Sequence, residues 1–209
     1  NDPGDNNSYK IEYINIDPAV NVFSSSSADL KINNSCKKIV FAGLYWSAIY
    51  PYERSTNTGS KYEGSTRIED WKNIKFKVPG GTYQDLTADE VIFDGYKKNG
   101  PLVSDSFKDS PYVCFKNVTT TLQNLTEADG KYVVANVRAA LGQRDEGGAG
   151  GWTLVVIYES PTVASKFISV FDGYVGVNPD SGSGQLKQVD FAVSGFQTLP
   201  VGFPVNAKI

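Results

Sequence analysis

Apolar and polar residues alternate along much of this chain, and they recur at helical spacing in only one place. YKIEYINI, Tyr9 to Ile16, has the period-two pattern of a half-buried strand. Asp17-Pro18 breaks it, and Val20 to Phe23 resumes it. The serine run Ser24 to Ser27 predicts a turn or short linker. KIVFAGLY, Lys38 to Tyr45, predicts a central strand, because Ile39, Val40, Phe41 and Leu44 suit burial on both faces. Trp46 and Ile49 extend it. Residues 51–70 form a polar, Gly/Ser/Thr-rich excursion of a length that usually carries function or disorder.

Lys72 to Val78 alternates, Pro79-Gly80-Gly81 turns the chain, and Tyr83 to Leu86 returns as a hairpin. Further strands are expected at Val91 to Tyr96, Tyr112 to Phe115, Lys131 to Arg138, Trp152 to Glu159, Lys166 to Val177, Leu186 to Val193 and Phe203 to Ile209. Gly142 to Gly151 reads as a flexible loop and Asn178 to Gly184 as a turn. The one helical signal is Val118, Leu122 and Leu125, with Asn117 as its cap. About ten strands and one short helix predict an all-β fold, a β-sandwich or jelly roll. A doubly wound fold would need a helix after most strands. Residues 1–35 read as an N-terminal arm and first strands of the same domain. Residues 36–209 read as the sandwich, open to continuing beyond the chain end.

Composition narrows the function more than the fold. Of 209 residues, 40% are hydrophobic and 21% charged, which is globular material rather than disorder. The net charge of −3 offers no basic field for nucleic acid. A basic stretch at Lys61, Arg67, Lys72, Lys75 and Lys77 is interrupted by Glu63, Glu69 and Asp70, and reads as a solvated loop and edge strand rather than an anion site. No apolar run approaches the length of a bilayer span. The chain starts at Asn1 and holds no Met, which suits an exported chain whose leader has been removed, or a piece of something longer.

Histidine is absent, which removes Ser-His-Asp and Cys-His triads and every histidine-ligated metal site. The glycine cluster Gly147 to Gly151 precedes a strand, whereas a phosphate cradle precedes a helix. Carboxylate-pair glycoside hydrolysis stays open through Asp94, Asp172 and Glu159. Ca2+ is the one cofactor the sequence admits, through the oxygen-rich turns that hold Asp2, Asp5 and Asp180, although such turns also arise for conformational reasons. Cys36 and Cys114 could form a disulfide worth roughly 2–4 kcal/mol, or remain two buried thiols. Phe-Asp-Gly-Tyr occurs at Phe93 to Tyr96 and again at Phe171 to Tyr174, with unlike flanks. Tyr45 and Trp46, with Tyr50, Tyr52, Tyr62 and Trp71, bracket the long polar excursion. The last four are candidates for a sugar-stacking platform, against core packing as the plainer reading.

Three motifs in order carry a resemblance. They are AGLYWSA, Ala42 to Ala48; CFKNVTTTLQNL, Cys114 to Leu125; and GGWTLVVIYESP, Gly150 to Pro161, followed by ISVFDGYVGV, Ile168 to Val177. Over roughly residues 36 to 209 the chain resembles a β domain found near the N-terminus of very large bacterial surface proteins, including gliding-motility adhesins of Bacteroidota exported by the type IX secretion system. The Gly-Trp-strand-FDG segment is the most specific part. The resemblance implies a non-enzymatic extracellular module that acts in attachment, motility or docking, with other cell-envelope proteins as partners. It also implies more strand beyond Ile209, so Phe203, Val205 and Ile209 are candidates for an edge completed by a partner's strand. A carbohydrate-binding module that takes polysaccharide is the alternative, and a glycosidase the third reading.

Overall fold

The long strand expected at Lys38 is the spine of the molecule: β2 runs Lys38–Ile49. The structure, a computed structural model, describes residues 9–32, 37–50, 69–94, 111–142, 148–164 and 166–174, with Asp190, Ala192, Ser194 and Gly195. Eight strands are described. The others are β1 (Ser25–Leu30), β3 (Asn73–Lys77), β4 (Gln84–Thr87), β5 (Glu90–Asp94), β6 (Pro111–Asn117), β7 (Gly130–Ala135) and β8 (Gly150–Glu159). They form two antiparallel four-stranded sheets, β1-β7-β3-β4 and β5-β6-β2-β8. The fold is an all-β sandwich.

Alternate residues of β2 explain how the layers meet. Ala42, Leu44, Trp46 and Ala48 are buried, while Phe41, Tyr45, Ser47 and Ile49 between them are half-buried. The buried set meets Ile74, Phe76, Tyr132 and Val134 of the first sheet in one core, with Tyr112 and Cys114 of β6. The Trp71 and Tyr112 rings lie 4.7 Å apart at a tilt. The buried Trp46 indole N–H donates to the Trp71 carbonyl at 3.3 Å, so its one polar group is satisfied. At the flank, the Trp152 indole N–H donates to Ser26 Oγ at 2.8 Å and ties β8 of one sheet to β1 of the other.

Most expected strands form, and two departures are instructive. Ser25 to Ser27 belong to β1 rather than to a turn, because all of β1 pairs in register with β7, from Ser25↔Ala135 to Leu30↔Gly130. Backbone pairing with an apolar central strand outweighs the weak strand preference of serine. Conversely, Tyr9 to Ile16 alternates but forms only isolated bridges, Ile11↔Gly142 and Asn15↔Ser25. This segment is a strap beside the edge of β1, bonded to the Ser25 backbone by Ile14 and Ile16, and beyond it the chain reaches Lys77 on the outer face of the first sheet. Asp17 pairs with Lys77 of β3, and the Asp17 N–H donates to Ser25 Oγ at 2.9 Å. Beneath that face Val133 and Ala135 are buried.

The helix forms as α1, Thr119–Gln123, with Leu122 buried. Its N-cap is Val118, which makes no side-chain cap; Asn117 Oδ1 instead accepts from the Thr119 N–H at 3.0 Å, one residue early. A 3-10 turn spans Glu69–Lys72.

The chain divides into two compact units, 1–162 and 163–209. All eight strands lie in the first. In the second, where a strand is expected from Lys166, the described residues 166–174 form neither strand nor helix. The expected strands Leu186 to Val193 and Phe203 to Ile209 fall largely or wholly outside the described residues. Among the described residues no helix is long and apolar enough to cross a membrane.

Candidate functional site

The first sheet splits at one end. β3 and β7 pair from Lys77↔Val133 to Lys75↔Ala135. Beyond that, Asn73 and Ile74 pair on the β4 side only. β7 leaves because Asn136 has φ 66°, a left-handed conformation that Asn tolerates better than most side chains. The opening is a cleft of about 480 Å3.

One wall is the turn before β1, and Asn136 holds it. Asn136 Oδ1 accepts from the Phe23 N–H at 3.0 Å, and its Nδ2 donates to the Asn21 carbonyl at 2.8 Å. The Asn136 N–H donates to the Ser24 carbonyl at 2.9 Å. Asn21 is also left-handed, at φ 61°. The two non-glycine residues at positive φ among the described residues therefore both line this cleft. Backbone strain of this kind concentrates at functional sites.

The charged groups come in pairs. Arg138 bonds Asp70 at 2.5 Å, and its guanidinium lies 4.4 Å from the centroid of the Phe23 ring. Lys75 bonds Asp85 at 2.6 Å across the β3–β4 hairpin. The floor is apolar through Ile74. The other carboxylate oxygen of Asp70, Oδ1, is buried without a hydrogen-bond partner among the described residues. Leaving such an acceptor unpaired costs about 1–3 kcal/mol, so its retention asks for a reason.

A second polar cluster fastens the strap. The Lys77 ammonium beside Asp17 holds that carboxyl below the usual carboxylate range. The Tyr83 hydroxyl donates to the Asp17 carbonyl at 3.4 Å, and burial pushes the Tyr83 phenol up to about 12. This cluster has structural partners throughout.

Two of the four aromatic platform candidates are corrected. Tyr50 and Trp71 are only 3% and 4% exposed and belong to the core, where large rings gain most by burial. Tyr52 and Tyr62 lie outside the described residues, as do Asp2, Asp5 and Asp180 of the calcium reading. Among the described residues no group of three or more His, Cys, Asp or Glu could hold a metal ion. Cys114 is wholly buried in β6, and Cys36 lies outside the described residues. So do Phe203, Val205 and Ile209.

Lys75 and Lys77 of the basic stretch are each paired with an acid. Asp94 and Glu159 do not meet as a hydrolytic pair. β5 and β8 are opposite edges of the second sheet. Glu159 is in register with Lys38 at one end of β2, and Asp94 with Tyr112, which pairs with Ala48 near the other. The two ends of β2 are roughly 30 Å apart at the usual rise of a strand.

Asn21, Phe23, Asn73, Asn136 and Arg138 were not singled out by sequence. The available signal was an asparagine closing the apolar run Tyr132 to Ala135, a residue type that readily turns left-handed. No protein-family model, curated protein or solved structure matches this chain.

Proposed function

We propose that this chain is a non-enzymatic binding module of a bacterial cell-surface adhesin, exported to the cell exterior, where it attaches the cell or docks within a surface assembly. The resemblance of its three motifs to such adhesins supplies the context. The observation that carries the reading is the Asn136 cleft. Its floor and one side are strand residues of β3 and β4, a rigid support for binding groups, and it contains polar groups whose charges are already paired. Two strained asparagines and an unsatisfied acceptor are features that stability alone does not favour.

The test is attachment. Beads coated with the full chain are exposed to cells of a gliding Bacteroidota species and to their isolated envelope polymers. The same is done with a double variant, Asn73→Ala with Asp85→Ala, whose side chains are solvent-exposed and outside the core. Retention by the unaltered chain and its loss in an equally stable variant are expected. Equal retention by both would remove the cleft from the function, and retention by neither would overturn the module reading.

A further inference from the structure

We infer that the Asn136 cleft binds a neutral sugar residue of a glycan, by hydrogen bonds from adjacent ligand hydroxyls to its charge pairs. The inference rests on the cleft being the module's binding site, and it names the ligand class.

The charge balance argues first. Arg138 is neutralised by Asp70 and Lys75 by Asp85, so the cleft offers no net field to concentrate a phosphate, a carboxylate or a cation. A ligand bound for its charge would meet an opposing partner at each position. A ligand that both donates and accepts meets no such penalty. Two neighbouring hydroxyls suit an ion pair, because one can donate to the carboxylate while the other accepts from the ammonium or guanidinium. The cleft holds two such pairs.

The unsatisfied acceptor argues second. Asp70 Oδ1 needs a donor and has none among the described residues. The side chain as a whole is 41% exposed and lines the cleft, so Oδ1 lies beside the space a ligand would fill. A hydroxyl hydrogen supplies the donor without bringing a charge. Asn73 adds amide capacity at the mouth, with its Oδ1 already taken by the Thr87 hydroxyl at 2.8 Å. The apolar floor at Ile74 and the flank of Phe23 suit the C–H face of a sugar ring. The Phe23 face itself carries the Arg138 guanidinium, so recognition here runs through hydrogen bonds rather than through ring stacking.

The third argument is rigidity. The wall from Asn21 to Phe23 is pinned by both ends of the Asn136 carboxamide, so its groups are oriented before a ligand arrives.

The experiment is a titration followed through the side-chain amide signals of Asn21, Asn73 and Asn136 in nitrogen-correlated NMR spectra of the full chain. The probes are methyl glycosides of glucose, galactose, mannose and N-acetylglucosamine, with soluble dextran and mannan. Glucuronic acid, N-acetylneuraminic acid and inorganic phosphate are the charged comparators. Saturable shifts of these amides with at least one neutral probe are expected, stronger than with any charged comparator, and weakened at least tenfold by Asn73→Ala with Asp85→Ala. Saturation with charged probes only, shifts confined to other residues, or no saturable shift with any neutral probe would overturn the inference. If bead attachment is still lost in the double variant under any of these outcomes, the binding-module reading stands and only the sugar is wrong. If attachment is indifferent to the variant, both fall.

Discussion

Asn136 takes the place of a strand neighbour for Phe23, accepting its N–H through Oδ1 at 3.0 Å where a backbone carbonyl would otherwise be required. With Nδ2 on the Asn21 carbonyl, one side chain does the work of a peptide group, after the backbone that would have supplied one has turned away at φ 66°.

Two substitutions separate the side chain from the backbone. Asn136→Gly keeps the left-handed conformation and loses two hydrogen bonds, which should cost about 1–2 kcal/mol. Asn136→Ala loses the same bonds and adds left-handed strain, for about 2–3 kcal/mol in all. Urea denaturation reads both. Equal midpoints for Ala and Gly would mean that the backbone relaxes out of its left-handed turn.

Gly43 lies in the middle of β2, where a Cβ would come within 2.9 Å of Phe41 Cζ and 3.0 Å of Phe115 Cε2. Gly151, paired with Ser47 further along β2, has nothing within 4 Å of that position. Gly43→Ala should therefore destabilise by about 1–3 kcal/mol as two rings are pushed aside. Gly151→Ala should be neutral or slightly stabilising. A thermal melt in which the order is reversed would contradict the packing described for the outer face of the second sheet.

Lys37 binds Glu127 at 2.8 Å and Asp129 at 2.9 Å. Its hydrogen bonds hold both carboxyls below their usual range, and theirs raise the Lys37 ammonium. For the acids, the folded pKa is the lower one. Their contribution is present above the unfolded carboxylate pKa and disappears as pH falls through the folded value. For the lysine, the folded pKa is the higher one, so its contribution is complete below the unfolded value and is lost as pH rises through the folded one. Stability against urea should thus decline at both ends of the scale. Lys37→Met should flatten part of each limb by lowering stability most in the neutral region, where the clasp is complete, and least at the extremes. A variant with unaltered limbs would show that the clasp is not linked to folding.

Burial pushes the phenols of Tyr83 and Tyr132 up to about 12. The Tyr132 hydroxyl donates to the Ala128 carbonyl at 2.6 Å within the core. A raised phenol pKa means that the folded state holds the proton more tightly, so stability falls as pH rises from the ordinary phenol range toward about 12. In an ultraviolet titration of tyrosinate, these two should ionise late or only on unfolding. Tyr132→Phe should remove one late-titrating group. An unchanged late fraction in that variant would put Tyr132 in water.

The strands whose apolar residues face the core were legible because burial and pattern coincide there. β2, β3, β6, β7 and β8 all fall where alternation or an apolar run predicts them. β1 was hidden because Ser25, Ser26 and Ser27 carry no apolar signal, and their strand exists only through a partner about a hundred residues away in sequence. The strap misled for the opposite reason. Its alternation is genuine, yet Ile14 and Ile16 point to solvent, 69% and 53% exposed, since isolated bridges and side-chain bonds, not a continuous ladder, hold it. Tyr50 and Trp71 failed as platform residues because large rings look alike on a rim or in a core until the neighbouring sheet is known. The cleft was not legible because it depends on two left-handed asparagines brought together from distant positions, and composition does not record φ.

The pairing of the strands also sets the order in which this unit can form. β1 waits for β7, and β2, though it meets β6 sooner, lacks its longest partner until β8 arrives. A chain emerging N-terminus first holds its apolar spine with one edge uncovered until Glu159 is out. The first sheet has all its strands once Ala135 is out, but the second cannot close before Glu159, so folding is dominated by distant contacts and should be slow for its size. Arrest at any earlier point would yield a species that seeks a strand from elsewhere, and the tie between Trp152 and Ser26 marks the moment when that need ends.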